Sequence, residues 1–209
     1  MNLILASQSP RRREILALLG LPFEVMAPEF EERVSPHLFI GDEVLQFALG
    51  KADSVARTRP ASIVVGSDTM ILLDGQKIGK PADQDEARRT LGMLSGRTHL
   101  IFTGVAIVDN SGGPGLRTVE TVEVDMRRFE RDEIERYLSL GESHDKAAGY
   151  SIQGEGRRLI EAIRGDYLAA VGMPLRPIAR YLEGRGVRLE RDIETLYREK
   201  SFLNWGSFE

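Results

Sequence analysis

The sequence predicts an α/β fold: a mixed β-sheet with helices on its faces. Three observations lead there. Strand-like and helix-like segments alternate along the chain, but not in the strict strand–helix–strand rhythm of an all-parallel sheet. Two long strand patterns, Thr98 to Val108 and Thr118 to Arg128, flank the Gly- and Pro-rich loop from Asn110 to Gly115, which calls for an antiparallel pair. Asp74-Gly75, a strong turn dipeptide, joins Met70–Leu73 to Gln76–Gly79 as a second hairpin. No dinucleotide fingerprint is present, so a Rossmann arrangement is not expected.

Taken in order, the chain opens with a short apolar strand, Asn2 to Leu5. A tight loop, Ser7-Gln8-Ser9, leads into a helix with Ser9 as N-cap, Pro10 at the first helical position and Gly20 as the stop. Ile15, Leu16, Leu18 and Leu19 form its buried face. Phe23 to Met26 reads as a strand, and Pro28 to Arg33 as an acidic connection. Asp42 is expected to cap a helix running to about Arg57, with Val44, Leu45, Ala48, Ala52 and Val55 inward. Ser62 to Gly66 reads as a buried strand that ends at Ser67-Asp68-Thr69. Asp83 opens a helix closed by Gly96, and Asp132 to Leu140 forms another, stopped by Gly141. Tyr150 to Gln153 reads as a short strand, and Pro174 to Glu183 as a helix entered through Gly172. After Gly186 the chain becomes charged and helix-prone, Arg188 to Lys200, and then carries Phe202, Trp205 and Phe208. Ordered aromatics need burial. This end therefore reads as a helix and aromatic hook docked on the body or on a partner subunit, with a frayed end as the alternative.

Composition narrows the function. The 209 residues suffice for one substantial core or two lobes sharing one. The absence of Cys rules out disulfides, thiolate metal sites and a Cys nucleophile. With 28 Lys+Arg against 32 Asp+Glu, the net charge of −4 argues against a nucleic-acid binder, although a small anionic ligand feels the local field and not the sum. No segment approaches the roughly 18 apolar residues of a membrane helix, and the charges at the N-terminus follow its apolar run where a signal peptide would place them before it. A cytoplasmic protein without a membrane partner is expected.

Several clusters carry chemistry. Ser7-Gln8-Ser9-Pro10-Arg11-Arg12 joins a helix N-terminus to two hydroxyls and adjacent guanidiniums, all suited to phosphate oxygens. Basic residues oppose the dipole at a helix N-terminus, so Arg11, Arg12 and Arg13 there suggest an anion nearby; the alternative is a solvated basic turn. Asp68 can hold a metal or activate water, or it can bond its own turn. Glu31-Glu32 can add a carboxylate for Mg²⁺, or it is a solvated charge run. Lys51, Lys80 and Lys146 are each phosphate candidates or simply exposed. In Ile152-Gln153-Gly154 the Gln amide can pair with a donor and an acceptor on a base edge; the alternative is a turn. His37, His99 and His144 show no metal-ligand spacing, and His99 reads as structural.

The ordered set of these segments resembles the Maf family of nucleoside triphosphate pyrophosphatases, related in fold to the inosine triphosphatases. The carrying residues are Leu5 to Arg12, Glu31-Glu32, Gly66-Ser67-Asp68-Thr69, Gly79-Lys80-Pro81, Leu94 to His99, Phe102-Thr103-Gly104, Asp145-Lys146-Ala147, Ile152-Gln153-Gly154 and Val171-Gly172-Met173-Pro174. The resemblance implies a twisted sheet with two lobes around a central cleft. It implies hydrolysis between the α- and β-phosphates, giving monophosphate and pyrophosphate. By analogy Asp68 accepts the proton of the attacking water, and Glu32 and Asp68, with Glu31 as a further candidate, hold a divalent cation, Mg²⁺ or Mn²⁺. Ser7, Arg12, Lys51 and Lys80 contact phosphates.

Arg11, Thr69 and Gln153 look like the branch acting on dTTP and UTP, with modified pyrimidine triphosphates as further substrates. The 7-methyl-GTP branch typically shows Trp, Gln and Glu at those three positions. The family also suggests a homodimer. Residues 1–186 are the expected catalytic domain and 187–209 an extension. One departure is Asp145-Lys146-Ala147-Ala148-Gly149-Tyr150, whose glycine stands one place later than in the usual D-K-A-G-A-Y. Competing readings are a 7-methyl-GTP pyrophosphatase, a nucleotide-binding regulator of cell division or septum formation, and an interaction module using the aromatic tail.

Overall fold

The computed structural model describes residues 2–143 and 146–208. Its elements run β1 (Asn2–Ala6), α1 (Pro10–Ala17), β2 (Glu24–Met26), α2 (Ile40–Ala56), β3 (Ser62–Leu73), β4 (Gln76–Ile78), α3 (Gln84–Leu94), β5 (Thr98–Asp109), β6 (Leu116–Met126), α4 (Arg131–Ser139), β7 (Ile160–Arg164), α5 (Tyr167–Val171), α6 (Leu175–Gly184) and α7 (Ile193–Glu199). The strands form one seven-stranded mixed sheet in the order β2-β1-β3-β5-β6-β7, with β4 on β3. β1 is parallel to β2 and β3, and the remaining pairs are antiparallel. The expected α/β class and mixed sheet are found.

The twelve-residue β3 organises the molecule. One edge pairs with β5 from Ile63 to Leu72. The other edge pairs with β1 over Ser62–Val65 and with β4 over Ile71–Leu73. Between them, residues 66–70 have no strand neighbour on that side among the described residues, and the sheet forks. This corrects the expectation that the strand ends at Ser67-Asp68-Thr69: these residues lie mid-strand, opposite Val105, Gly104 and Thr103. The polar run looked like a strand end because polar side chains seldom occupy a buried strand; here Asp68 and Thr69 line the cavity at the fork, and Ser67 bonds the Gly104 and Gly172 carbonyls.

Strand alternation divides the core. Leu3, Leu5, Ile63, Val65, Ile71, Ile101 and Val105 face the main core, which α1, α3, α4, α5 and α6 cover. Ile4, Ala6, Val64 and Phe102 face α2. Close approach of α2 depends on Gly66 and Gly104, where an added Cβ would come within 2.2 Å of Ala48 O and 2.8 Å of Val44 O.

Ser9 caps α1 with Pro10 at its first position, and Asp83 caps α3. The Asp74-Gly75 hairpin turn has positive φ at both residues, as a type I′ turn requires. Other boundaries differ from expectation. α2 begins at Ile40 after Phe39, so Asp42 is a first-turn acid and not the cap. α4 begins at Arg131 behind a Glu130–Glu133 capping box. Tyr150 to Gln153 is not a strand but the link between two 3₁₀ turns, Ala147–Gly149 and Gly154–Leu159. Ala148 takes the left-handed region at φ 57°, beside Gly149 at φ 69°. The shifted glycine therefore leaves an alanine in a conformation that favours glycine.

β7 and α5 were not expected. α7 starts at Ile193 behind Asp192, so residues 188–192 precede the helix. The aromatic end docks on the body: Trp205 stacks on Tyr167 at 5.3 Å and meets Tyr197 edge-on at 4.9 Å. Among the described residues, no helix is long and apolar enough to cross a membrane.

Candidate active site

A cavity of about 520 Å³ opens at the fork in the sheet. Nine residues expected from sequence line it: Ser7, Arg11, Arg12, Glu32, Lys51, Asp68, Thr69, Lys80 and Gln153. Lys146 joins them. Glu31 does not; it pairs with Arg33 on the surface. Arg13 also lies outside the lining and is exposed. His144 and Asp145, the first residue of the Asp145-Lys146-Ala147 motif, lie outside the described residues.

On the α2 side of β3, Asp68 is buried, and Lys51 reaches it from the helix with Nζ–Oδ1 2.5 Å. The same ammonium lies 2.5 Å from Glu32 Oε1. Lys51, which sequence left open as exposed, is thus buried between two carboxylates. Burial raises the Asp68 carboxyl above its ordinary range, against the pull of Lys51 and Arg12. Glu32 is half-exposed. Its partial burial pushes it up, but its bond to Lys51 and the nearby Lys80 and Arg12 hold it below the ordinary range.

Glu32 sits on a pinned loop. Lys77 Nζ, from β4, donates to Ser35 O at 2.7 Å, Leu38 O at 2.8 Å and the buried Glu43 carboxylate at 2.6 Å. The Ser35 amide donates to the same Glu43.

The main-core side of β3 holds Arg12. Its Nε donates to Gly172 O at 3.0 Å, and its NH2 to Thr69 Oγ1 at 3.4 Å. Thr69 in turn contacts Thr103 Oγ1 at 3.1 Å, and Thr103 donates to Ala169 O at 2.8 Å. Ser67 Oγ is 2.9 Å from Gly104 O and 3.0 Å from Gly172 O. Gly172 adopts φ 132°, a region few side chains tolerate, and this turn aims its carbonyl at Arg12. At the α1 entrance, buried Ser7 accepts the Ser9 amide through Oγ at 3.1 Å and lines the cavity.

The far end of the cavity is more apolar, with Ile71, Ile101, Ala147, Tyr150, Ile152, Ala170 and Val171 on its walls. Gln153 is buried there, and its Nε2 has no partner among the described residues. Tyr150 stands on His99, with OH to Nε2 2.7 Å. Burial lowers His99 to about 4, so it is neutral at physiological pH. Phe30 borders the cavity and packs edge-on against Phe47 at 5.9 Å. Sequence reasoning passed over Phe30 and Tyr150. The signal for Phe30 was a lone aromatic in an acidic run.

Among the described residues, no group of three or more His, Asp or Glu converges on a metal position. The donor set nevertheless suits a hard cation. Two carboxylates share a single ammonium, so that ammonium neutralises only one of their two charges. Mg²⁺ sites typically use one or two carboxylates and complete their shell with substrate phosphate and water.

The Maf-like protein family model matches residues 2–185. A dTTP/UTP pyrophosphatase from Moorella thermoacetica is 44% identical over 186 residues, 89% of this chain and 96% of that protein. One from Desulforamulus reducens is 40% identical over 187 residues, 90% of this chain and 98% of that protein. Among solved structures, the Staphylococcus aureus Ham1 protein superposes with a TM-score of 0.52 at 14% identity, covering 88% of this chain and all of that one. At that identity the likeness speaks to the fold alone, and it agrees with the mixed sheet and its flanking helices.

Proposed function

The chain belongs to the Maf family, and we propose from that premise that it hydrolyses dTTP and UTP, and pyrimidine triphosphates modified away from the recognised edge, to the monophosphate and pyrophosphate. One observation carries the reading. A single cavity joins a basic helix entrance, a carboxylate–ammonium–carboxylate cluster and a buried amide with an unused donor.

In this reading the triphosphate lies along Ser7, Arg12, Lys51 and Lys80, whose donors suit phosphate oxygens. Arg12 arrives already aimed by Gly172 O and Thr69. Asp68 takes the proton of the water that attacks the α-phosphorus. Without a cation, burial raises its carboxyl above the ordinary range against the pull of Lys51 and Arg12. Pyrophosphate leaves with the bonding pair of the broken phosphoanhydride.

Glu32 and Asp68 would hold Mg²⁺ or Mn²⁺. Such a cation supplies neutralisation of charge on the phosphate oxygens. Lys51 keeps the two carboxylates together before substrate enters. Gln153 offers both a donor and an acceptor, the complement of a pyrimidine's O4 and N3–H. Arg11 and Thr69 complete the specificity set, Thr69 acting through its bond to Arg12. The same reading puts the enzyme in the cytoplasm, with the nucleotide and neither nucleic acid nor membrane as its partner, and by family resemblance as a homodimer.

The test is a nucleotide panel with Mg²⁺ or Mn²⁺. Turnover of dTTP and UTP above the purine triphosphates and 7-methyl-GTP is the expected result. Consumption of 7-methyl-GTP with dTTP and UTP untouched contradicts the reading. So does tight binding of all nucleotides without turnover, which is the behaviour of a regulator.

A further inference from the structure

The family match ends at residue 185, yet the chain continues into an ordered segment whose aromatic side chains pack against α5. Tyr197, on α7, makes two bonds that bracket that region. Its OH donates to Asp166 Oδ2 at 2.8 Å and accepts the Leu175 amide at 3.3 Å. Asp166 is the N-cap of α5, where its Oδ1 accepts the Leu168 and Ala169 amides at 2.9 and 3.2 Å. Leu175 is the first residue of α6. One hydroxyl therefore ties the start of α5 to the start of α6.

Trp205 reinforces the clasp by stacking on Tyr167, and Phe208 lies 5.8 Å from the same ring. Tyr167 OH donates to Leu203 O at 2.5 Å. Tyr167 is among the largest fully buried side chains of the protein, so the extension's backbone supplies the acceptor that its hydroxyl needs.

Between the two bracketed ends lies the 167–174 stretch. The Ala169 and Gly172 carbonyls belong to this segment. Gly172 O accepts Arg12 Nε directly, and Ala169 O holds Thr103, which contacts Thr69, which accepts Arg12 NH2. Both anchors of Arg12 thus hang on the stretch that Tyr197 brackets. A five-residue helix has little stability of its own and depends on tertiary contacts to hold its place.

We propose that the C-terminal extension is a brace for the active site, in which Tyr197, supported by Trp205, is a positioning residue that fixes the 166–175 segment and through it the Arg12 guanidinium. The hydrogen bonds of Tyr197 and the Leu203 carbonyl go to Asp166, Leu175 and Tyr167, none of which lines the cavity. The extension acts by holding the carbonyls that aim Arg12. The proposal rests on the reading of Arg12 as a phosphate contact.

The test uses Tyr197→Phe, which removes both hydrogen bonds and keeps the ring, beside Trp205→Leu in the full chain. Each is made in the native and the Arg12→Ala backgrounds. Kinetics with dTTP and UTP, melting temperature and binding of inorganic triphosphate by calorimetry are measured. Tyr197→Phe is expected to raise KM about tenfold, as loss of a charged hydrogen bond's alignment would, with a smaller change in kcat. In the Arg12→Ala background the same substitution is expected to change KM by less than about twofold, because its route to the phosphate is gone.

An equal KM rise in both backgrounds means general loosening and overturns the brace, as does an unchanged KM. The melting temperature should fall alike in both backgrounds, separating stability from positioning. Trp205→Leu should raise KM in the native background and not in Arg12→Ala; a native KM in both backgrounds overturns the proposal. If the native enzyme turns over neither dTTP nor UTP, the functional reading fails on its own. The brace is then decided by triphosphate affinity: weakening by Tyr197→Phe only where Arg12 is present supports it, and any other pattern overturns it.

Discussion

At the end of the cavity proposed for the phosphates Lys51 is bonded to both Asp68 and Glu32, and Arg12 to Gly172 O and Thr69, whereas at the end proposed for the base Gln153 Nε2 is buried with no partner among the described residues. The charged end is assembled before substrate arrives. Its groups hold one another in place, and the cost of fixing them falls on the folding of the protein, not on the reaction. The base end leaves a donor unsatisfied. In the proposed function that deficit is relieved by a base with an acceptor in the right position and persists with any other, which would turn a burial penalty into discrimination. The comparison predicts that changes at the first end act on rate, and changes at the second on choice of nucleotide.

The largest effect is expected from Asp68→Asn, which keeps the shape and removes the base. Its kcat should fall by roughly 10³-fold, within the range of a lost general base, while circular dichroism stays native. A variant within a few fold of the native rate would take Asp68 out of the proton transfer. Glu32→Gln comes next. It removes one of the two carboxylates on Lys51 and should raise the Mg²⁺ concentration for half-maximal activity about 10- to 100-fold, the scale of one charge-assisted contact. Unchanged metal dependence would separate Glu32 from the cation.

Gln153→Leu fills similar space without an amide. It should lower kcat/KM for dTTP and UTP by about tenfold or more while the rates on poor substrates hold or rise, so the ratio between nucleotides shrinks. If Asp68 or Glu32 variants altered that ratio as much as Gln153→Leu, the division between the two ends would fail.

The smallest expected effect concerns the support of the base end. His99 is lowered by burial to about 4 from an ordinary value of 6.5, so the unfolded chain binds a proton that the folded chain does not. The stability this neutral imidazole contributes is fully present above pH 6.5 and declines as pH falls towards about 4, by roughly 3 kcal/mol at most. Chemical denaturation across that window should show the decline in the native protein and its absence in His99→Gln. A parallel decline in both would point to other groups.

Much of the site was legible because its residues sit in short segments of distinct composition. Ser9 and Pro10 declare the start of α1, and with it the place where Arg12 must point. Asp68 was legible as chemistry but not as position. Mid-strand carboxylates are unexpected until the fork shows that one edge of β3 is open there. Lys51 looks like any helix lysine; only the seating of α2 on Gly66 and Gly104 turns it toward Asp68. β7 and α5 are each five residues long, too short for a period to register. Tyr150 to Gln153 has the composition of a strand, but left-handed Ala148 and Gly149 before it and Gly154 after it turn the chain out of the sheet. The unused donor of Gln153 is a property of its surroundings and has no signature in sequence at all.

Product identity reads directly which phosphate bond is broken. Purified protein with Mg²⁺ and dTTP should release dTMP and pyrophosphate in equal amounts, with no dTDP, and Asp68→Asn should release neither. Formation of dTDP and orthophosphate would mean cleavage at the terminal bond and would contradict the assignment of the Asp68 cluster to the α-phosphate.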